Sequence, residues 1–179
     1  MSESNGNGKR RIGVAVVGCG NWGRNLVRTF NNLPESDLRH VCDLDEGRLA
    51  KFPGVSTTTD LDIVLKDDSV EAVVIGASAV AHKALALRAL KAGKHTYVEK
   101  PLALSVEDSE EIVAEAAKRG LKLMVGHLLL YHPAVLYLRS LLDNGDLGQL
   151  YYLYSQRLNL GVVRQDENAL WSFGPHDIS

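Results

Sequence analysis

Residues Gly18-Cys19-Gly20-Asn21-Trp22-Gly23 spell G-x-G-x-x-G directly after the apolar run Ile12 to Val17. In a strand-to-helix turn each glycine has its own duty. Gly18 permits the tight turn, Gly20 lets the backbone approach a pyrophosphate, and Gly23 lets the helix pack closely on the strand. Asn21 and Trp22 then sit at the helix start, where free N–H groups and the positive end of the helix dipole attract phosphate. An acid, Asp43, lies 20 positions beyond Gly23 (43 − 23), at the end of the second apolar run. A carboxylate there accepts hydrogen bonds from ribose hydroxyls and repels a 2′-phosphate, which favours NAD over NADP. Asp45 competes with Asp43 for the ribose, and Arg48 leaves some tolerance for NADP.

A second group of chemical residues is Tyr97-Val98-Glu99-Lys100-Pro101. Open α/β sheets bind ligands at the carboxyl ends of their strands, so Glu99 and Lys100 are placed for chemistry beside the cofactor. A Lys–Pro bond can adopt the cis form, which would aim Lys100 at the crevice. A solvated lysine before a strand-ending proline is the plainer reading of the residue types alone. His82 is an isolated histidine on a helical segment, equally readable as a capping or a solvated residue. His127 and Tyr131 follow the sixth strand, Arg157 and Asn159 lie at the end of a later one, and Arg164 follows it. All five read either as pocket residues or as solvated polar groups. His176, by its own surroundings, is a helix-start residue capping its turn, with Asp177 as a dipole partner.

The elements that must hold these residues alternate short β-branched runs with helical segments, the pattern of βαβ units and a parallel sheet. Strands are expected at Ile12 to Val17, Leu38 to Cys42, Val55 to Thr58, Glu71 to Ile75, His95 to Val98 and Leu121 to Val125. Helices are expected from about Trp22 to Phe30, after a cap at Asp60, from Val80 to Ala92, and after the Ser105 cap to about Arg119. Gly93 and Gly120 are natural helix stops. Beyond them come a helix opened by Pro133 and running to Leu142, a turn at Asp143 to Asp146, and a long alternating strand from Gln149 to Asn159. The fold class is therefore α/β, a doubly wound Rossmann sheet followed by the start of an α+β substrate domain. The expected divisions are a polar leader at 1–10, a dinucleotide-binding domain at 11–126, and a connecting helix with the beginning of a second domain at 127–179.

The composition sets limits. The chain has 179 residues, 45% of them hydrophobic, and a formal net charge of −2. Without a basic surplus there is no electrostatic footprint for nucleic acid, and no apolar stretch is long enough to span a membrane. Two cysteines, Cys19 and Cys42, are too few for a disulfide framework and lack metal-site spacing, so no metal is expected. Free thiols at buried strand ends suit a reducing compartment, and the cytoplasm is the default expectation.

The segment Glu99-Lys100-Pro101, with Ala89-Leu90-Lys91-Ala92-Gly93-Lys94-His95 before it, resembles the hallmark of the glucose–fructose oxidoreductase / inositol dehydrogenase family, also called Gfo/Idh/MocA. The resemblance runs from Ile12 to Ser179. It implies that Lys100 lies beside the nicotinamide and the reacting sugar carbon, and that a histidine matched by His176 shuttles the hydroxyl proton. The family's acid four positions before that histidine is replaced here by Ser172. Ser78 stands where relatives carry an Ala-Thr-Pro-like turn against the cofactor, and His82 matches a histidine found shortly after it. The run from Asn168 to Ser179 resembles a branch acting on nucleotide sugars, in which Arg157, Asn159 and Arg164 would contact the sugar's carboxylate and hydroxyls. The resemblance thus implies an NAD-dependent oxidoreductase for a sugar or nucleotide sugar, homo-oligomeric in its full-length form. Two alternatives remain: an NAD-dependent lyase or glycosidase, or a cofactor-binding fragment without turnover. The chain stops inside what looks like a helix start, so a C-terminal truncation is expected.

Overall fold

A computed structural model describes residues 10–156, 174 and 178. The chain divides into two compact units, Met1–Gly126 and His127–Ser179.

The first unit is built on β1 (Ile12–Val17), which pairs in parallel with β2 (Ser36–Cys42) on one side and β4 (Ala72–Ile75) on the other. β3 (Ser56–Thr58) extends the sheet beyond β2, and β5 (His95–Val98) and β6 (Leu123–Val125) extend it beyond β4, giving the order β3-β2-β1-β4-β5-β6. All pairs are parallel, so every connection must cross over a face of the sheet. The order reverses between β1 and β4, and at such a switch point the loops part to leave a crevice at the carboxyl ends of the strands. Both faces of β1 are covered, which is why it is an unbroken apolar run rather than an alternating one. Ala15 and Val17 enter one core with Val73, Ile75, Leu90, Val98 and Ile112; Val14 and Val16 enter the other with Leu26, Val27, Val41 and Val74.

The crossovers carry α1 (Gly23–Asn32), α2 (Glu46–Leu49), α3 (Leu61–Lys66), α4 (Ala79–Lys91) and α5 (Val106–Lys118). Asp60 and Ser105 cap α3 and α5, accepting the N–H of Asp62 at 2.8 Å and of Asp108 at 3.1 Å. The Asp45 carboxylate caps α2, a short helix that the apolar pattern did not announce, by accepting the N–H of Gly47 at 2.9 Å. Gly93 and Gly120 follow α4 and α5 at φ +78° and +65°, the left-handed conformation in which glycine ends helices.

In the second unit a 3₁₀ turn at Leu128–Tyr131 leads to α6 (Pro133–Asp143), whose first turn is capped by His132. The strand expected from Gln149 to Asn159 is not there in its described part: residues 149–156 form no strand, and Tyr151 to Tyr154 are exposed. Alternation only sorts side chains onto two faces; a strand also needs a neighbour to complete its ladder. Residues 157–159 lie outside the described residues. Among those described, no helix is long and apolar enough to cross a membrane.

Candidate cofactor and active site

The glycine turn between β1 and α1 is held from three sides. The Gly18 N–H donates to the Cys42 carbonyl at 2.8 Å, and the Gly76 N–H donates to the Val17 carbonyl at 2.8 Å. Gly18 has φ +85°, and a Cβ on it would lie 2.5 Å from the Ala77 nitrogen. A Cβ on Gly23 would lie 1.9 Å from the Gly18 carbonyl oxygen, so helix and turn touch backbone to backbone. Gly20 differs. A Cβ there would meet only the Arg48 guanidinium, at 3.6 Å, which leaves the outer face of the turn open. Closed behind and open in front, the turn is a cradle that fits a pyrophosphate at the start of α1.

Asp43 closes one end of this cradle. One carboxylate oxygen accepts the Cys19 N–H at 2.7 Å and the other accepts the Asp45 N–H at 3.0 Å, with an Arg48 nitrogen 3.6 Å away. Burial opposes the charge, but the N–H groups of Asp45 and Cys19, the Cys19 thiol and Arg48 outweigh it and hold the carboxyl below its usual range. Asp43 is thus an ionised acceptor, and each oxygen retains lone-pair capacity for a ribose hydroxyl. Asp45, its competitor in the sequence, is committed to capping α2. Arg48 is half exposed and bridges both acids, 3.2 Å from Asp45. Both neighbouring thiols are buried; burial first and the Asp43 charge second push Cys19 up to about 12 and Cys42 up to about 11.

At the other end, Glu99 gathers donors from three places. Its Oε1 accepts the indole N–H of Trp22 at 2.8 Å and the Tyr97 hydroxyl at 3.0 Å, and its Oε2 accepts the Lys100 N–H at 3.3 Å. Gly126 makes room for this group: a Cβ there would lie 2.5 Å from the Tyr97 hydroxyl and 3.0 Å from the Glu99 carboxylate. In the sequence Tyr97 is marked only as a neighbour of Glu99 and Lys100, and Gly126 is not marked at all, although a glycine directly after a strand is a signal of close approach. The Lys100–Pro101 bond is cis.

His82 is fully buried. Its Nδ1 lies 2.6 Å from the Pro101 carbonyl oxygen and its Nε2 3.0 Å from that of Ala77. Both nitrogens face backbone carbonyls, and the one that carries the proton donates, so the ring packs between the end of β4 and the segment after Lys100. Ser78 is exposed at the start of α4 and makes no side-chain cap; Asn21 is exposed on the glycine turn. In the second unit, His127 precedes the 3₁₀ turn with a buried Nδ1 that has no hydrogen-bond partner among the described residues, and Tyr131 is exposed. Arg157, Asn159, Arg164 and His176 lie outside the described residues.

Comparison with known proteins accounts for this arrangement. Residues 12–127 match the family described as "Oxidoreductase family, NAD-binding Rossmann fold" (GFO_IDH_MocA). The chain is 30% identical to a 2,7-anhydro-N-acetylneuraminate hydratase of Mediterraneibacter gnavus, over 83% of this chain and 40% of that protein. It is 30% identical to inositol 2-dehydrogenase 2 of Saccharopolyspora erythraea, over 93% of this chain and 52% of that one. Among solved structures, GenD2 from gentamicin A biosynthesis, in complex with NAD, superposes with TM-score 0.74 at 34% identity, covering 82% of this chain and 43% of its own. KijD10, a 3-ketoreductase from Actinomadura kijaniata in complex with NADP and TDP-benzene, superposes with TM-score 0.71 at 30% identity, covering 76% and 43%. The chain thus spans about half the length of the curated relatives it matches. It belongs to the Gfo/Idh/MocA oxidoreductase family and carries that family's NAD-binding Rossmann domain.

Proposed function

We propose that this protein oxidises a secondary alcohol of a sugar or nucleotide sugar reversibly, with NAD as the hydride acceptor. The observation that carries the reading is the placement of Lys100 at the end of β5, joined through Glu99 to the glycine turn that would hold the cofactor. Gly18, Gly20, Asn21 and Gly23 would hold the pyrophosphate, and Asp43 the adenosine ribose. β2 and β5 are separated by about three strand spacings, roughly 14 Å at about 4.8 Å each. That span supports a reading in which a dinucleotide would reach from Asp43 at one end to Lys100 at the other. When bound, the nicotinamide supplies the site that accepts or returns hydride.

The chain's own residues do the rest. Lys100 hydrogen-bonds the reacting oxygen and stabilises its developing negative charge. His176 takes the hydroxyl proton as the carbinol C–H bond gives up its hydride. Arg157, Asn159 and Arg164 hold the sugar, with His127 and Tyr131 as further lining residues. Arg48 extends tolerance to NADP, a cofactor found with the KijD10 relative. A panel of sugars and nucleotide sugars, offered with NAD to the protein with its substrate domain complete, should give NADH absorbance with at least one member. No NADH with any of them would reject the dehydrogenase reading.

A second reading rests on the hydratase relative, in which water is added or removed rather than an alcohol oxidised. Such an enzyme would convert substrate without net NADH, so product analysis with the absorbance trace separates the two.

A further inference from the structure

Trp22 stands at the N-cap position just before α1, makes no side-chain cap for it, and leaves about half of its surface exposed at 48%. Its indole N–H is nevertheless fixed, because Glu99, 77 positions away, accepts it at 2.8 Å. A flat apolar ring with an anchored edge and an open face is built to meet another flat ring. The anchor lies on the Lys100 side of the glycine turn, away from Asp43. Glu99 itself is 7% exposed, and the donors described for it are a neutral indole, a neutral phenol and a backbone amide. A buried carboxylate with this set of partners acts as a multiple acceptor that fixes their relative positions.

We propose that Glu99 is a positioning residue that sets Trp22 as one wall of the nicotinamide pocket, so that the pyrophosphate cradle and the Lys100 backbone are held in one register. The proposal rests on the reading of this crevice as a nicotinamide site. It assigns Glu99 no proton transfer. Its effect is confined to one end of the cofactor, because Asp43 and its partners hold the other end without it.

The test compares binding of NAD⁺ with binding of ADP-ribose, the same molecule without its nicotinamide. Glu99→Ala should weaken NAD⁺ about ten-fold and leave ADP-ribose near its wild-type affinity. Glu99→Gln, whose amide oxygen still accepts the indole N–H, should restore most of the preference for NAD⁺. Trp22→Phe should repeat the loss, and combining it with Glu99→Ala should add little, since both remove the same contact. With Trp171→Phe leaving Trp22 as the sole tryptophan, NAD⁺ but not ADP-ribose should shield its fluorescence from acrylamide. Equal weakening of both ligands, or full additivity of the two substitutions, would overturn the proposal. If the wild-type chain binds ADP-ribose but gains nothing from the nicotinamide, the wall is refuted while the dinucleotide fold stands. If it binds neither ligand, the cofactor reading falls, and this inference falls with it.

Discussion

The backbone N–H of Cys19 donates to the Asp43 carboxylate at 2.7 Å, tying the middle of the glycine turn to the end of β2. Asp43 therefore braces the turn that would hold the pyrophosphate, and in the proposed site it would also present its charge to the adenosine ribose.

The thiols report on that charge. Burial and the Asp43 carboxylate raise both, to about 12 for Cys19 and about 11 for Cys42, so neither should react with iodoacetamide at pH 8. Asp43→Asn removes the charge but not the burial. The pH profile of alkylation should move down for both thiols, further for Cys19, whose thiol also bonds the carboxylate. An unmoved profile would show that burial alone sets their reactivity.

Steric contact distinguishes the glycines. A Cβ on Gly23 meets backbone at 1.9 Å, whereas one on Gly93 meets nothing within 4 Å and suffers only from φ +78°. Gly93→Ala should cost about 1–2 kcal/mol. Gly23→Ala should cost more and abolish binding of ADP-ribose, because turn and helix must separate. Thermal melts with ligand titrations check both.

Asp67 predicts an acid limb of stability. Its carboxylate accepts the Ser69 N–H at 2.8 Å and lies 2.7 Å from His40 Nε2. Hydrogen bonds from Ser69 and His40, working against burial, hold the carboxyl down to about 2. A depressed acid stabilises the fold when ionised, so its contribution is present above about pH 4 and fades as pH falls through 2. Asp67→Asn should cost about 1–2 kcal/mol at pH 7, allowing for partial exposure of the side chain, and almost nothing at pH 2. Urea denaturation across that range would reveal the convergence, and a constant difference would count against it.

His82→Ala should leave whichever of the Ala77 and Pro101 carbonyls accepts its ring N–H without that donor, at about 1–3 kcal/mol for a buried group that water cannot reach. Hydrogen exchange should accelerate at the Lys100 and Leu102 amides, while β1 and β2 exchange as before. Unchanged exchange near Lys100 would refute the link between His82 and that segment.

Lys100→Met tests the proposed chemistry. In a protein with its substrate domain complete, turnover should fall roughly a hundred-fold or more, with NAD⁺ affinity nearly unchanged. Loss of NAD⁺ binding instead would make Lys100 a cofactor residue only.

What the sequence determined by itself is local. G-x-G-x-x-G, the caps Asp60 and Ser105 and the stops Gly93 and Gly120 each act within a few residues, so their chemistry can be read from neighbours in the chain. The unbroken apolar runs were equally legible, because burial on both faces demands them. Tertiary structure alone decided the meeting of Trp22 with Glu99, the seat of His82 between Pro101 and Ala77, and the space that Gly126 leaves beside Tyr97. These contacts depend on the order β1-β4-β5-β6, which brings distant segments to one end of the sheet. For the same reason the alternation beginning at Gln149 misled. Side-chain pattern is carried by the residues themselves, but a strand exists only when another strand completes its hydrogen bonds.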